Sequence, residues 1–335
     1  MTRILTQAQV RELLPMEVCM DLMASVLQEL ARGAASNPLR RGMLLDGRRG
    51  LLAMMPGETL EPPTVGLKVI GMLHANAGGE LDTHQGLVAL FDPATGAPRA
   101  VLEGSAITAV RTAAVSGVAT RALAREDAGD LALLGSGVQA SQHLAAMVVA
   151  RELRRVRVWS PTPARRAAFA ERESSRHGLE VVAVDTAEAA VRGADLVCTA
   201  TTACEPVLEG AWLEDGTHVN AAGACMPKAR ELDSAAVRRA RVVVDRMESA
   251  WAEAGNLIQP RDAGEITEDH VLGELGDVLT GTLCGREGER DVTLFQSLGL
   301  AVQDLAAAYY VVQRAEEQDV GLSVDLTGTV AGNLG

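Results

Sequence analysis

A chain of 335 residues with 31 basic and 44 acidic side chains carries a net charge of −13, and 2% of its residues are aromatic. That charge repels phosphate backbones, and so few rings cannot build a stacking platform, so nucleic-acid binding is excluded. The 47% apolar fraction excludes disorder, no apolar run is long enough to cross a bilayer, and ~150 residues per domain gives about two domains.

The N-terminus, MTRILTQAQVRELL, lacks the apolar core of a signal peptide. Residues 15–32 read as an amphipathic helix, with Pro15 at its first position, Val18, Leu22, Val26 and Leu30 on one face, and Gly33 just beyond its end. Residues 39–103 are strand-like, and LFDPATGAPRAV predicts a hairpin turning at DPATG. The segment ITAVRTAAVSGVAT reads as a helix start with Thr108 as its cap. From about residue 126 the texture changes. Six short apolar runs (DLALLG, RVRVWS, LEVVAVD, ADLVCTAT, HVNAAG, RVVVD) are interleaved with helical stretches, which predicts βαβ units and a parallel sheet. SLGLAVQDLAAAYYVVQRAEEQ closes the pattern as a long helix.

Gly135-Ser136-Gly137-Val138-Gln139-Ala140 forms a GxGxxA motif between a strand and a helix. In that context the glycines permit a tight turn and close approach to a pyrophosphate, which the helix N-terminus then faces. The acidic residue that would take an NAD ribose hydroxyl belongs about 20 positions on. That position is Ser160, followed by Thr162, Arg165 and Arg166, with no Asp or Glu between Leu153 and Ala170. Hydroxyls and guanidinium groups suit a 2′-phosphate, so NADP(H) is favoured and NAD(H) is the alternative.

Arg40 beside Arg41, Lys68 inside VGLKVIGML, and Arg111 are the basic residues that stand out. Lys68 is either snorkelling at a sheet edge or aimed into a site. Arg111, read in a first helical turn, opposes the dipole unless a carboxylate ligand joins it. His84, in DTHQG, lies between these basic positions. The six histidines and five scattered cysteines show no metal-ligand or disulfide spacing, so no metal is expected and a cytoplasmic location is the expectation.

The segments MMPG (54–57), GLKV (66–69), DTHQGLVALFDPATG (82–96), ITAVRTAAVS (107–116), GSGVQA (135–140), TATTACEPVL (199–208), NAAGACMPKARELD (220–233) and SLGLAVQDLAAA (297–308) run in one order along nearly the whole chain. Together they resemble the ornithine cyclodeaminase/mu-crystallin family. The resemblance implies an α/β fold: a Rossmann-type dinucleotide-binding domain at residues 126–304, and an α+β substrate-binding and dimerisation domain built from both chain ends, residues 1–125 and 305–335. It implies a homodimer. It also implies a carboxylate pocket of Arg40 (or Arg41), Lys68 and Arg111, with Asp304 lining the site or orienting its neighbours; Thr83 and His84 are substrate-binding candidates whose side chains would shape specificity. Thr112 would lie near cofactor phosphate, Thr199 and Thr201 along the dinucleotide, and Ala222 and Ser297 near the nicotinamide. Lys68 and Arg111 are the catalytic candidates.

Cyclodeaminases of the family carry two carboxylates that would stand here at Cys225 and Ala53. Without them the resemblance favours the reductase branch: NAD(P)H-dependent reduction of an α-imino acid to an α-amino acid, or the reverse reaction as a dehydrogenase. The alternatives are a cofactor-dependent binding protein and an ornithine or lysine cyclodeaminase. Cys225 itself reads as a small packing residue.

Overall fold

The computed structural model describes residues 1–48, 50–76, 81 and 84–328. In chain order the first stretch contains β1 (Thr2–Leu5), α1 (Gln7–Leu13), α2 (Met16–Ala31), β2 (Ala35–Ser36), β3 (Arg41–Leu44), β4 (Gly50–Leu60), β5 (Pro63–Leu73), β6 (His84–Phe91), β7 (Pro98–Glu103) and α3 (Gly104–Leu123). The second contains β8 (Asp130–Leu134), α4 (Val138–Ala150), β9 (Arg155–Trp159), α5 (Pro163–His177), β10 (Val181–Ala183), α6 (Ala187–Val191), β11 (Leu196–Thr199), β12 (His218–Ala221), α7 (Ser234–Arg239), β13 (Arg241–Val244), α8 (Met247–Glu253), α9 (Gly255–Asp262), β14 (Val271–Glu274), α10 (Leu275–Thr280) and β15 (Thr293–Gln296). Helix α11 (Ala301–Glu317) and β16 (Leu322–Val324) follow. No helix among the described residues is long and apolar enough to cross a membrane.

The chain divides into two compact units, Met1–Arg111 with Leu300–Gly335, and Thr112–Gly299. The first division therefore falls inside α3 rather than at 125/126, and the second falls just ahead of α11. The change of texture at 126 marks where the parallel sheet begins. The helix before it already packs into that unit, through hydrogen bonds from Ser116 to His143 and from Asn220 to Thr120.

In the first unit the strands run in the order β16-β1-β7-β6-β5-β4-β2, with β3 also on β4. All pairings are antiparallel except β1 with β7. The expected hairpin joins β6 to β7, and the Asp92 carboxylate accepts from the N–H groups of Ala94 and Thr95 to set its turn. MMPG lies within β4. Pro56 is tolerated because residues 55–57 face the gap between the short partners β3 and β2. Helix α11 lies across β4, β5 and β6 and against α2. Gly66 permits that approach, since a Cβ there would lie 2.8 Å from Leu305 and 2.4 Å from the Ala89 carbonyl oxygen.

Two helix starts differ from expectation. Pro15 is the N-cap of α2 rather than its first residue. Helix α3 begins at Gly104, where the Glu103 carboxylate accepts from the N–H groups of Ser105 (2.8 Å) and Ala106 (2.9 Å). Thr108 is thus not a cap; its hydroxyl donates to the Gly104 carbonyl one turn back, at 2.7 Å. Arg111 ends the second turn, beyond the reach of the dipole conflict expected for it.

The second unit holds a parallel sheet in the order β10-β9-β8-β11-β12-β15-β13-β14. All six expected strands are present, joined by β14 and β15. From β10 to β12 the order is the 3-2-1-4-5 of a dinucleotide-binding sheet. The order reverses between β8 and β11, which places the crevice for a ligand at the carboxyl ends of these strands.

Candidate active site

Lys68 sits mid-way along β5, a strand bonded on both sides, opposite Met55 and Val88. Strand alternation puts Thr64, Gly66, Lys68 and Ile70 on the face covered by α11. The side chain is 2% exposed, so it does not snorkel at an edge. Its ammonium lies 3.3 and 3.4 Å from the two carboxylate oxygens of Asp304. Arg111 donates from Nε to Asp304 Oδ1 at 3.0 Å and from Nη1 to Gln303 Oε1 at 3.2 Å. The start of α11 fixes both acceptors, because Gln303 Oε1 also accepts from the Leu300 N–H at 3.1 Å.

All four side chains are buried. Burial is the main force lowering the Lys68 pKa to about 8; Asp304 opposes it, and the charges of Arg111 and Arg40 reinforce it. Two cations against one carboxylate leave the trio one positive charge in excess. Gln303 Nε2 is a buried donor with no partner among the described residues. Sequence reasoning missed Gln303, since an amide in a helical run carries no distinguishing signal.

Arg40 is half-buried and its charge is felt at Lys68. Arg41 pairs with Met54 on the opposite face of the sheet, with Leu67 and Val69, and so is not brought to the trio. His84 opens β6 on the Lys68 face, but Val88 is the residue opposite Lys68. Four residues of strand, ~13 Å, separate the two. Thr83 lies outside the described residues.

In the second unit, Gly135 follows β8 with φ +125, and a Cβ there would lie 2.5 Å from the Ala200 carbonyl oxygen. Gly137 is the N-cap of α4, no side chain caps that helix, and a Cβ on Gly137 would meet nothing within 4 Å. Gly137 and Val138 are exposed and Gln139 is half-buried, so the first turn of α4 offers its N–H groups to an anion. Ser136 donates to the Ser160 hydroxyl at 2.9 Å. At the end of β9, Arg166 is buried and engaged by Asp185 and the Ser160 carbonyl oxygen, while Thr162 and Arg165 are exposed. Ser297, just after β15, is 1% exposed and its hydroxyl has no partner among the described residues. An open helix N-terminus, a glycine cradle and an orphaned buried hydroxyl fit a dinucleotide. Thr112 is buried in α3.

Thr199 is buried and Thr201 half-buried, and the hydroxyls of both are already engaged. Both donate to Glu231, a fully buried carboxylate that sequence reasoning passed over. Glu231 Oε1 accepts from the Thr201 N–H (2.7 Å) and hydroxyl (2.9 Å), and Oε2 from the Thr199 hydroxyl (2.9 Å) and the Gly223 N–H (2.8 Å). Burial holds its pKa above the usual carboxylate range, against the pull of these hydrogen bonds. Ala222 is tied to this loop by its N–H donating to the Thr199 carbonyl at 3.0 Å. Cys225 donates weakly to the carbonyl oxygens of Ala222 and Ser297, at 3.4 and 3.7 Å. Ala53 is buried within β4. No group of three or more His, Cys, Asp or Glu among the described residues could hold a metal ion.

The pattern of the ornithine cyclodeaminase/mu-crystallin family matches residues 1–319. A Δ1-pyrroline-2-carboxylate reductase of Bacillus cereus is 34% identical over 94% of this chain and 97% of its own length. The structure of the Thermococcus litoralis Δ1-pyrroline-2-carboxylate reductase in complex with NADH and L-proline superposes with a TM-score of 0.94, at 36% identity, over 96% of this chain and all of that one. An archaeal alanine dehydrogenase dimer with bound NAD gives a TM-score of 0.92 at 31% identity, over 97% and 99% of the two chains.

Proposed function

The chain belongs to the ornithine cyclodeaminase/mu-crystallin family, and from that premise we propose that it reduces a small α-imino acid to the α-amino acid with NAD(P)H. The protein is an oxidoreductase acting on carbon–nitrogen bonds, reversible as an amino-acid dehydrogenase. The observation that carries this reading is the buried Lys68–Asp304–Arg111 trio, with its unmatched positive charge and a lysine held near pH 8.

A substrate carboxylate supplies the missing negative charge. Arg111, with Arg40, binds and orients it, and the Gln303 amide adds a buried donor. Asp304 holds both cations in place. The Lys68 ammonium gives its proton to the substrate nitrogen as the C=N bond is reduced, and water returns it afterwards. When bound, the dinucleotide supplies the hydride that the α-carbon accepts. Neither Cys225 nor Ala53 offers a carboxylate to deprotonate a distal amine, which disfavours cyclodeamination.

The test is oxidation of NADH and NADPH with a panel: Δ1-pyrroline-2-carboxylate, a six-membered cyclic ketimine, iminosuccinate, and pyruvate with ammonia. Turnover on at least one is expected. Tight cofactor binding without turnover on any would make this a binding protein instead.

Within that reading the dinucleotide is NADPH. Support comes from Ser160, Thr162 and Arg165 at and after the end of β9, in a segment with no Asp or Glu between Leu153 and Ala170, while the nearby Asp185 carboxylate is engaged by Arg166. An NADH preference of about tenfold or more would overturn this choice. We also propose a homodimer. The face of the first sheet away from α11 exposes Met43, Met54, Leu60, Leu73 and Leu87, an apolar surface of the kind that pairs subunits. Light scattering is expected to give twice 35.1 kDa; a monomer mass would sink this part. Five thiols without a disulfide suit the cytoplasm.

A further inference from the structure

We propose that Glu231 is the positioning residue for the nicotinamide half of the dinucleotide site. The proposal rests on the dinucleotide reading above. The sheet order reverses between β8 and β11, so a dinucleotide crossing that point lays its adenosine half over β8 and β9 and its other half over β11, β12 and β15. The loops at the carboxyl ends of those last three strands are bound to one another through Glu231. Its carboxylate holds Thr199 at the end of β11, Thr201 just beyond it, and Gly223 beyond β12. Its backbone N–H donates to Asn256 Oδ1 at 2.8 Å, and Asn256 Nδ2 donates to Gln296 Oε1 at 2.9 Å. Gln296 Nε2 then donates to the carbonyl oxygens of Ala221 (3.3 Å) and Ser297 (3.2 Å). The chain of bonds ends at Ser297, whose hydroxyl is the orphaned buried donor.

The close fit is specific. A Cβ on Gly223 would lie 2.4 Å from Glu231 Oε1 and 2.2 Å from the Thr201 carbonyl oxygen. The four groups facing Glu231 are all donors, and each oxygen receives one backbone N–H. A hydroxyl can turn to accept, but a backbone N–H cannot. Glu231→Gln therefore sets an NH2 group against a fixed donor whichever way the amide turns, and one loop loses its anchor while the side chain keeps its shape. The adenosine half depends on Gly135, Gly137, Ser136 and Ser160; Gly135 packs against the Ala200–Thr201 backbone, but the hydrogen bonds of Gly135, Ser136 and Ser160 run to one another, Trp159 and Arg166 rather than to Glu231 or its partners.

The experiment compares the affinities of wild type, Glu231→Gln and Thr199→Val for NADH, NADPH, ADP-ribose and 2′-phospho-ADP-ribose by calorimetry. Glu231→Gln is expected to weaken both whole cofactors about tenfold, the cost of one unmade buried hydrogen bond, and to leave both fragments unchanged. Thr199→Val, which removes one rotatable donor, is expected to show the same pattern at about threefold, and it decides the matter should Glu231→Gln fail to fold. Equal loss for cofactors and fragments, or no loss for either, overturns the proposal. Wild type that binds neither cofactor overturns the dinucleotide reading itself.

Discussion

Two buried carboxylates are held in opposite ways. Asp304 is met by two cations, Lys68 and Arg111. Glu231 is met by two hydroxyls and two backbone N–H groups, and no cation is among these partners. The first arrangement keeps an excess charge in a dry place, so it responds to protons and to an anionic ligand. The second has every lone pair filled by a neutral donor and fixes loop geometry. Charged pairing serves the chemistry, and neutral pairing serves the framework.

That contrast can be broken most directly at Lys68. Lys68→Ala is expected to lower turnover by at least ~10²-fold with cofactor affinity unchanged; near-normal steady-state turnover would remove the lysine from proton transfer. Asp304→Asn sharpens it further. Reduction needs the ammonium, so its rate falls as pH rises through a value of about 8. Asp304 is the neighbour that holds this value up, so its neutralisation moves the limb of the kcat profile to lower pH. Glu231→Gln leaves the limb in place, and a shared shift would erase the distinction between the two carboxylates.

Stability gives a smaller signal. Lys68 titrates near 8 when folded and at about 10.4 when unfolded, so between those values the unfolded chain holds more protons and stability rises with pH. Thermal melts of Lys68→Met are expected to lack that rise. The smallest effect belongs to the exposed Arg165. Arg165→Ala is expected to weaken NADPH about fivefold and NADH not at all, and equal losses would detach the residue from the 2′-phosphate.

The parallel sheet was legible because its strands alternate with helices of clear period, and Gly135 and Gly137 stand where a strand gives way to one. The strands VLGE and TLFQ escaped because no long periodic helix frames them: only the six-residue α10 lies between, and no regular helix leads directly into TLFQ. Thr108 misled as a cap because Glu103 does that work from the preceding strand. Lys68 and Arg111 were conspicuous as charges out of place. Glu231 was not, because in KARELD it reads as one more solvated charge, and only the folding of two loops onto it removes the water.

The insertion of one unit within the other has a consequence for synthesis. Asp304 follows Arg111 by 193 residues and Lys68 by 236. At about 5–20 residues per second, a ribosome takes ~10–40 s to travel from the arginine to the aspartate. Through that interval the nascent chain carries both cations without their shared anion, while the parallel sheet forms strand by strand. The dinucleotide site can thus be complete before the last helix emerges, and the carboxylate-binding centre is among the final parts of the enzyme to be made.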